Sequence, residues 1–435
     1  MLSGLIWTAL MDKAMKEVPE EPFAGRETIH LWYTDSALTD YLNSVSVAYN
    51  ESQDRFRAEP SLRSGVEFLE EINRASVAGD EDFPDVYIIG NDQLGKAAMA
   101  GLASEVTDKA SFADTVVFPL PAIRAVTWNG KIVAYPLYFE TAALLYSSSY
   151  LKEMNEAASL SAQTVPSSIT EIMTLADSYD APEGLKQIFS WDVEEIFYNY
   201  YFVGSAIDVG GPCGDDVNTL DIYNADAIKA LMAYQQLGQF FSIDSAADSY
   251  DSVLDDFIEG RIAFTVATTD ACAKLKAAAE SGRYAGSYGV SRLPDITDEI
   301  RAQGLSVTQC MAVNGYSKHM AEANAFINFV LFGHIDGFYD RTGKAPALNG
   351  YSYSDRHMDG FFQAYALSEP ISKMRETENF WMLLENVLAE VWDGADPNAA
   401  LKQLYEQTLA QITGTEGFVA DPIANPPVET VFAGD

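Results

Sequence analysis

Cysteine and histidine are scarce in this 435-residue chain, at three and four residues. Cys213, Cys272 and Cys310 are far apart and odd in number, which argues against a disulfide framework. His30, His319, His334 and His357 lack the spacing of a zinc site, so no metal ligand set is expected. Basic residues are also few. Lys plus Arg number 27 against 64 Asp plus Glu, for a formal net charge of −37. A surface of that sign repels nucleic acid and anionic lipid. Most of these carboxylates read as a solvated, solubilising surface.

Catalytic and cofactor motifs are missing too. No G-x-G-x-x-G follows a strand and no G-x-x-x-x-G-K-[ST] occurs, so nucleotide phosphates have no cradle and no cofactor is expected. Gly286-Ser287-Tyr288-Gly289 is not a nucleophile elbow. Carboxylate pairs abound, which leaves a glycosidase open by composition, yet nothing marks one pair over another. The reading is therefore not an enzyme. There is no long apolar run. Leu2 to Met11 is interrupted by Ser3, Gly4 and Thr8 and is too short to span a bilayer. It has no basic flank before it and no small-residue cleavage pattern after it. We read residues 1–26 as the remnant of a membrane anchor whose remainder lies upstream, followed by a charged, Pro-containing tether.

What is present is a globular composition, 48% hydrophobic and 21% charged, long enough for two domains or one large α/β unit. Ile29 to Tyr33 is a β-rich run, Thr34-Asp35-Ser36 offers capping oxygens, and Ala37 to Asn50 has helical spacing. Val66 to Ala78 reads as helix, Asp85 to Ile89 as a buried strand ending at Gly90-Asn91-Asp92, and Leu94 to Leu102 as helix. Lys131 to Leu137, Arg261 to Ala267, Tyr288 to Leu293 and Val307 to Val313 read as strands. Ser252 to Ile258, Ala321 to Phe332 and Phe380 to Val391 read as helices. This alternation argues for a mainly parallel sheet covered on both faces. Ligands of such sheets bind beyond the carboxyl ends of strands, where Asp35 and Asp92 fall. On position alone, helix capping is the commoner role for either residue.

Several stretches together resemble the extracellular solute-binding proteins of bacterial sugar importers, the class that includes maltose- and maltodextrin-binding proteins. They are Ile29 to Tyr33 with Asp35, then Phe83-Pro84-Asp85-Val86 continuing to Asn91-Asp92 and Ala100-Gly101-Leu102-Ala103-Ser104-Glu105-Val106. The most specific is Trp128-Asn129-Gly130-Lys131-Ile132-Val133-Ala134-Tyr135-Pro136 with Glu140 following. Phe257-Ile258-Glu259-Gly260-Arg261-Ile262-Ala263-Phe264 and Tyr288-Gly289-Val290 leading to Leu293-Pro294 complete the set. The resemblance covers about residues 27–412.

It implies a two-lobed, periplasmic-binding-protein-like α/β fold with crossover hinge segments near Leu137 to Thr141, Ser306 and Ala345 to Leu348. The amino-terminal lobe would combine 27–138 with 306–346, and the carboxyl-terminal lobe 139–305 with 347–435. It also implies capture of a carbohydrate in the interlobe cleft, delivery to an ABC transporter permease, an extracytoplasmic, membrane-tethered location and a monomeric state. Asp35, Asp92 and Glu140 match polar sugar contacts of the maltodextrin-binding members, with Tyr138 beside them. Trp381 matches a stacking aromatic, although Leu384 and Leu388 share its helical stripe and make a core position the alternative. Trp191, Asp192 and Glu194 fall where the family carries an acidic and aromatic cluster, in a register ambiguous by a few residues. Departures are informative. Gln93 replaces a basic residue, Ile89 and Asp270 replace tryptophans, and Glu385 stands where a maltose-binding member has Arg. The cleft is therefore expected to be more acidic and less aromatic than a maltose site. That keeps a cationic or peptide-like solute, and a carbohydrate-active enzyme, as rival readings.

Overall fold

Val86-Tyr87-Ile88-Ile89-Gly90 offers no charged side chain to water on either face, and it forms a strand buried throughout. That strand is the third of ten in the principal sheet. The computed structural model describes residues 25–107, 109–112, 115–161, 163–415 and 417–427. The apolar stretch Leu2 to Met11, and all of the tether except Gly25 and Arg26, lie outside the described residues. Among those described, no helix is long and apolar enough to cross a membrane.

In chain order the sheet comprises β1 (Glu27–Tyr33), β2 (Phe56–Leu62), β3 (Val86–Gly90), β4 (Tyr135–Ser147), β5 (Gln187–Phe189), β6 (Ile262–Thr268), β7 (Tyr288–Ser291), β8 (Leu305–Val313), β9 (Ala345–Pro346) and β10 (Glu369–Pro370). The main path runs β2-β1-β3-β8-β4-β6-β5, with β7 and β9 on β4 and β10 on β8. β4 serves two neighbourhoods. Its residues 135–141 pair antiparallel with β8, and its residues 142–146 pair antiparallel with β6. Ten of its thirteen positions are buried, so the strand is apolar on both faces until Glu140 interrupts it.

The core forms two clusters that do not split where β4 changes partners. One gathers β1, β3, the end of β8 and residues from both parts of β4, including Leu31, Ile88, Phe139, Leu145 and Met311, together with Leu254, Phe257, Cys272 and Leu275. A second gathers Ala142, Phe189, Trp191, Phe264, Phe380 and Leu384. β8 begins with Leu305 in the second cluster and ends with Cys310 to Val313 in the first, so it returns the chain. After Ala345 the chain continues in the first cluster. Helix Met358–Leu367 places Phe361 and Tyr365 in the first cluster while packing on both β4 and β7, and the chain joins the second cluster only at Met374.

Four local readings are corrected. Lys131 to Leu137 is not one strand. Asn129 and Gly130 both take positive φ (48° and 73°) and turn a small hairpin that pairs Thr127 with Ile132, after which β4 begins at Tyr135. The helix from Leu94 stops at Met99 because Gly101 turns left-handed at φ 71°. The helix from Met320 leaves α geometry at Asn328 and finishes as a π turn, Phe329–Gly333. β2, with Pro60 in it, carried no strand signal; it sits at the sheet edge, where a missing N–H is tolerated.

Phe139, fully buried at the point where the two clusters meet, stacks on Tyr365 at 4.0 Å and 5°. Phe139→Ala is expected to cost about 3–5 kcal/mol of stability. Chemical denaturation of the variant beside the parent chain measures this.

Candidate functional site

Where the two clusters approach beyond the end of β3, a cavity of about 560 Å³ opens. Gly65, Glu67, Phe68, Glu70, Asp92, Gln93 and Lys96 line it from the first side, and Ile196, Ile371, Ser372, Met374, Glu378, Trp381, Met382 and Glu385 from the second. Asp92 is placed by the turn that follows β3. A β-carbon at Gly90 would come within 2.2 Å of the Asp92 Oδ1, so glycine leaves room for the carboxylate. Asp92 is open to the cavity, yet the protein crowded around it raises its pKa above the usual value, against the pull of its neighbouring amides and Lys96. Lys96 reaches across the cavity in an ion pair with Glu378.

Trp381 owes its position to the helix Glu378–Trp392. Phe380, Leu384, Leu388 and Val391 face the second core, and Trp381 lies one step off that stripe. Its ring is half-buried, 5.1 Å from Phe380 and 5.8 Å from Tyr200, with its remaining surface on the cavity. Glu385, one turn further, accepts the Ile196 N–H at 3.0 Å.

A second polar group forms around Lys344, at the sheet junction. Asp35 caps its own turn by accepting the Ala37 N–H at 2.9 Å, and its other oxygen accepts the Tyr138 hydroxyl at 3.2 Å and pairs with Lys344 at 3.2 Å. Burial opposes its charge, but the Ala37 amide, Lys344 and Tyr138 together hold its pKa below the ordinary range. Glu140 accepts the Thr269 hydroxyl at 2.5 Å and lies 3.8 Å from Lys344. Burial dominates there and raises its pKa despite those partners. Asp270 accepts hydroxyls from Thr268 (2.6 Å) and Tyr250 (2.8 Å) and pairs with Lys274 at 3.0 Å, which outweighs burial and lowers its pKa. The structure thus joins Asp35, Tyr138 and Glu140 through one cation, and sets them apart from the lining of the 560 Å³ cavity.

Trp191 is corrected from a ligand contact to a core residue. It has no exposed surface, its indole N–H donates to Asn199 at 2.9 Å, and the rings of Phe189 and Trp392 lie 4.7 and 5.4 Å away. Asp192 is a loop brace, accepting the backbone N–H groups of Glu194 and Tyr250, each at 2.9 Å. Glu194 is exposed and outside the cavity lining. The residue of this stretch nearest the cavity is Ile196, preceded by the half-buried Glu195. Burial pushes the Glu195 carboxyl up to about 7, helped by Glu385 and Asp192. Sequence reasoning missed Glu195 by one position, and missed Lys96, Lys344 and Glu378, which carry no motif. Among the described residues no group of three His, Cys, Asp or Glu is arranged to hold a metal ion.

Comparisons with known proteins fit this geometry. The family described as bacterial extracellular solute-binding protein matches residues 65–332. The maltodextrin-binding protein MdxE of Bacillus subtilis is 21% identical over 368 residues, covering 82% of this chain and 81% of that protein. An extracellular solute-binding protein from Staphylococcus aureus, solved in complex with maltose, superposes with a TM-score of 0.75 at 18% identity, covering 89% of this chain and 97% of that one. A cyclo/maltodextrin-binding protein complexed with maltotetraose gives 0.74 at 18% identity, covering 91% and 99%. At that identity the structures speak for the fold, a two-lobed α/β architecture.

Two raised carboxyls give the site a pH signature. Glu369, on β10, is pushed up to about 7 chiefly by burial, with Asp208 adding to it. In both Glu195 and Glu369 the folded state holds a proton that the unfolded chain releases near 4.5. Their contribution to stability is complete below about 4.5 and is lost as pH rises through about 7. Replacing both with Gln should flatten the melting temperature between those limits relative to the parent, with the variant gaining most at the upper end. Melting curves across that range check it.

Proposed function

The chain belongs to the bacterial extracellular solute-binding proteins, and from that membership we propose that it captures an oligosaccharide of the maltose or maltodextrin class between its two lobes. The observation that carries the reading is the cavity with Asp92 on one wall and Trp381 on the other. A sugar ring has an apolar face and a rim of hydroxyls. An indole buries the face, and a carboxylate accepts from the rim. Asp35, Tyr138 and Glu140 form a second set of polar contacts for the same ligand. Capture proceeds by closure, in which an open form loads one lobe and the closed form buries the solute from both sides. The loaded form is handed to a membrane permease, and the protein works tethered outside the cytoplasmic membrane. That assignment rests on membership of the family. We keep the division of the chain between lobes, with the third crossing near Ala345–Leu348, as part of the proposal.

One observation favours a second reading. The lining carries Glu67, Glu70, Asp92, Glu378 and Glu385 against Lys96. A cationic sugar or a cationic peptide would offset that charge on closure better than a neutral glucan does.

Calorimetric titration with maltose and maltotetraose, alongside a polyamine and a basic peptide, separates the two. Saturable binding of maltotetraose is expected, and binding of the cations alone would transfer the site to the second reading. Steady release of shorter sugars during incubation would replace both with an enzyme. A hydrogen bond to a charged acceptor is worth about 1.5–3 kcal/mol, or about one to two powers of ten in affinity. Asp92→Ala and Glu140→Ala are each expected to lose that much. Trp381→Ala should lose a similar amount while keeping most of its melting temperature, because the ring is only half-buried. A large drop in melting temperature with affinity intact would make it a core residue instead.

A further inference from the structure

Ile371, Ser372 and Met374 line the cavity, and Lys373 between them has no exposed surface. Lysine is almost never fully buried unless something compensates for the lost water. Here the compensation is two backbone carbonyls. The ammonium donates to the Arg124 carbonyl at 3.0 Å and to the Cys213 carbonyl. Arg124 belongs to the short helix Leu120–Ala125, whose Ala122 sits in the first core. Cys213 lies in the hairpin between Asp208–Val209 and Leu220–Asp221, whose Val209 sits in the second core.

The backbone of Lys373 is held on both sides as well. Its N–H donates to Gly214 at 2.9 Å. Its carbonyl lies so close to Gly95 that a β-carbon there would approach it to 2.2 Å. Beside it, the Asp215 carboxylate accepts the Asn129 N–H at 2.7 Å, a further tie between the same two regions.

We propose that Lys373 is a positioning residue of the binding cavity: by donating to one carbonyl from each core it fixes the wall Ile371–Met374 and sets the opening angle between the two halves. A methionine would fill the same volume and pack equally well against apolar neighbours. What the lysine adds is its donors, which reach a carbonyl on each side. The charged and titratable groups facing the ammonium are Asp215, Cys213 and Cys310, and burial outweighs them, pulling its pKa down to about 8.

The test uses the full chain as parent, Lys373→Met and Lys373→Arg. Small-angle scattering without ligand is expected to show a larger maximum dimension for the folded Met variant and recovery toward the parent in the Arg variant. Maltotetraose affinity should fall by about tenfold or more in the Met variant, the worth of one charge-assisted hydrogen bond. The parent should also gain stability as pH rises from about 8 to 10.5, where the unfolded chain holds a proton the folded chain has shed, and the Met variant should not. A folded Met variant with the parent's scattering profile would overturn the proposal. Should that variant not fold, Lys373→Gln, which keeps a neutral donor, is read by the same criterion. The sugar arm rests on the function proposed above; the scattering arm does not, so absence of sugar binding in the parent leaves this inference decided by the scattering alone.

Discussion

One strand serves both halves of the molecule, and most of the structure follows from that. β4 is thirteen residues long, pairs with β8 along its first part and with β6 and β7 along its second, and is buried on both faces over most of its length. A strand in that position cannot slip by a residue, because each shift would exchange its two faces against two different cores. The partner of β4 on this side changes from β8 to β6 between Thr141 and Ala142. β8 runs antiparallel beside its first part, and the short strands β9 and β10 pair with β4 and β8. Asn91 links β8 to the segment after β10: its side-chain oxygen accepts the Thr308 N–H at 2.8 Å and its amide donates to the Ile371 carbonyl at 2.9 Å.

The acidic excess of the chain is sorted by environment. Carboxylates given hydroxyls, amides and a lysine are kept charged, as Asp35 and Asp270 are, their pKa values lowered in spite of burial. Where the surrounding protein outweighs the donors the pKa is pushed the other way, as at Asp92, Glu140, Glu195 and Glu369. The second kind lie at or beside the meeting of the two halves. A carboxyl without enough donors is costly to leave and ready to accept one, which is what a hydroxyl-rich solute supplies.

How much of this the sequence revealed depended on how local each signal was. Asp92 was legible because a buried apolar run followed by a polar turn is a pattern within eight residues. Trp381 was legible as a choice between two roles, and the structure places the ring at the boundary of both, off the apolar stripe of its helix by one position. Trp191 was misread because its burial depends on Phe241 and Trp392, far along the chain, and on Asn199 receiving its N–H. Lys373 left no trace at all. Its environment is made by carbonyls 249 and 160 residues away, and backbone carbonyls have no sequence signature. β2 was invisible for a different reason: an edge strand needs one buried face and tolerates polar residues and proline, so its composition resembles a loop.

Closure of such a site divides the work between the ligand and the protein. The walls carrying Asp92 and Trp381 belong to different cores, so bringing them onto a solute removes water from carboxylates on both sides at once. Apolar contact with one indole rewards any ring of roughly the right size, and discriminates weakly. The carboxylates discriminate strongly, since each one enclosed without a donor costs more than a satisfied one contributes. A solute that satisfies Asp92 but leaves Glu378 or Glu385 unanswered would gain little from closure. Glu378 is answered internally by Lys96, and Glu385 by the Ile196 amide. Glu67, Glu70 and Asp92 remain on the wall that faces Trp381, so acceptors and an aromatic face lie on opposite sides of the cavity.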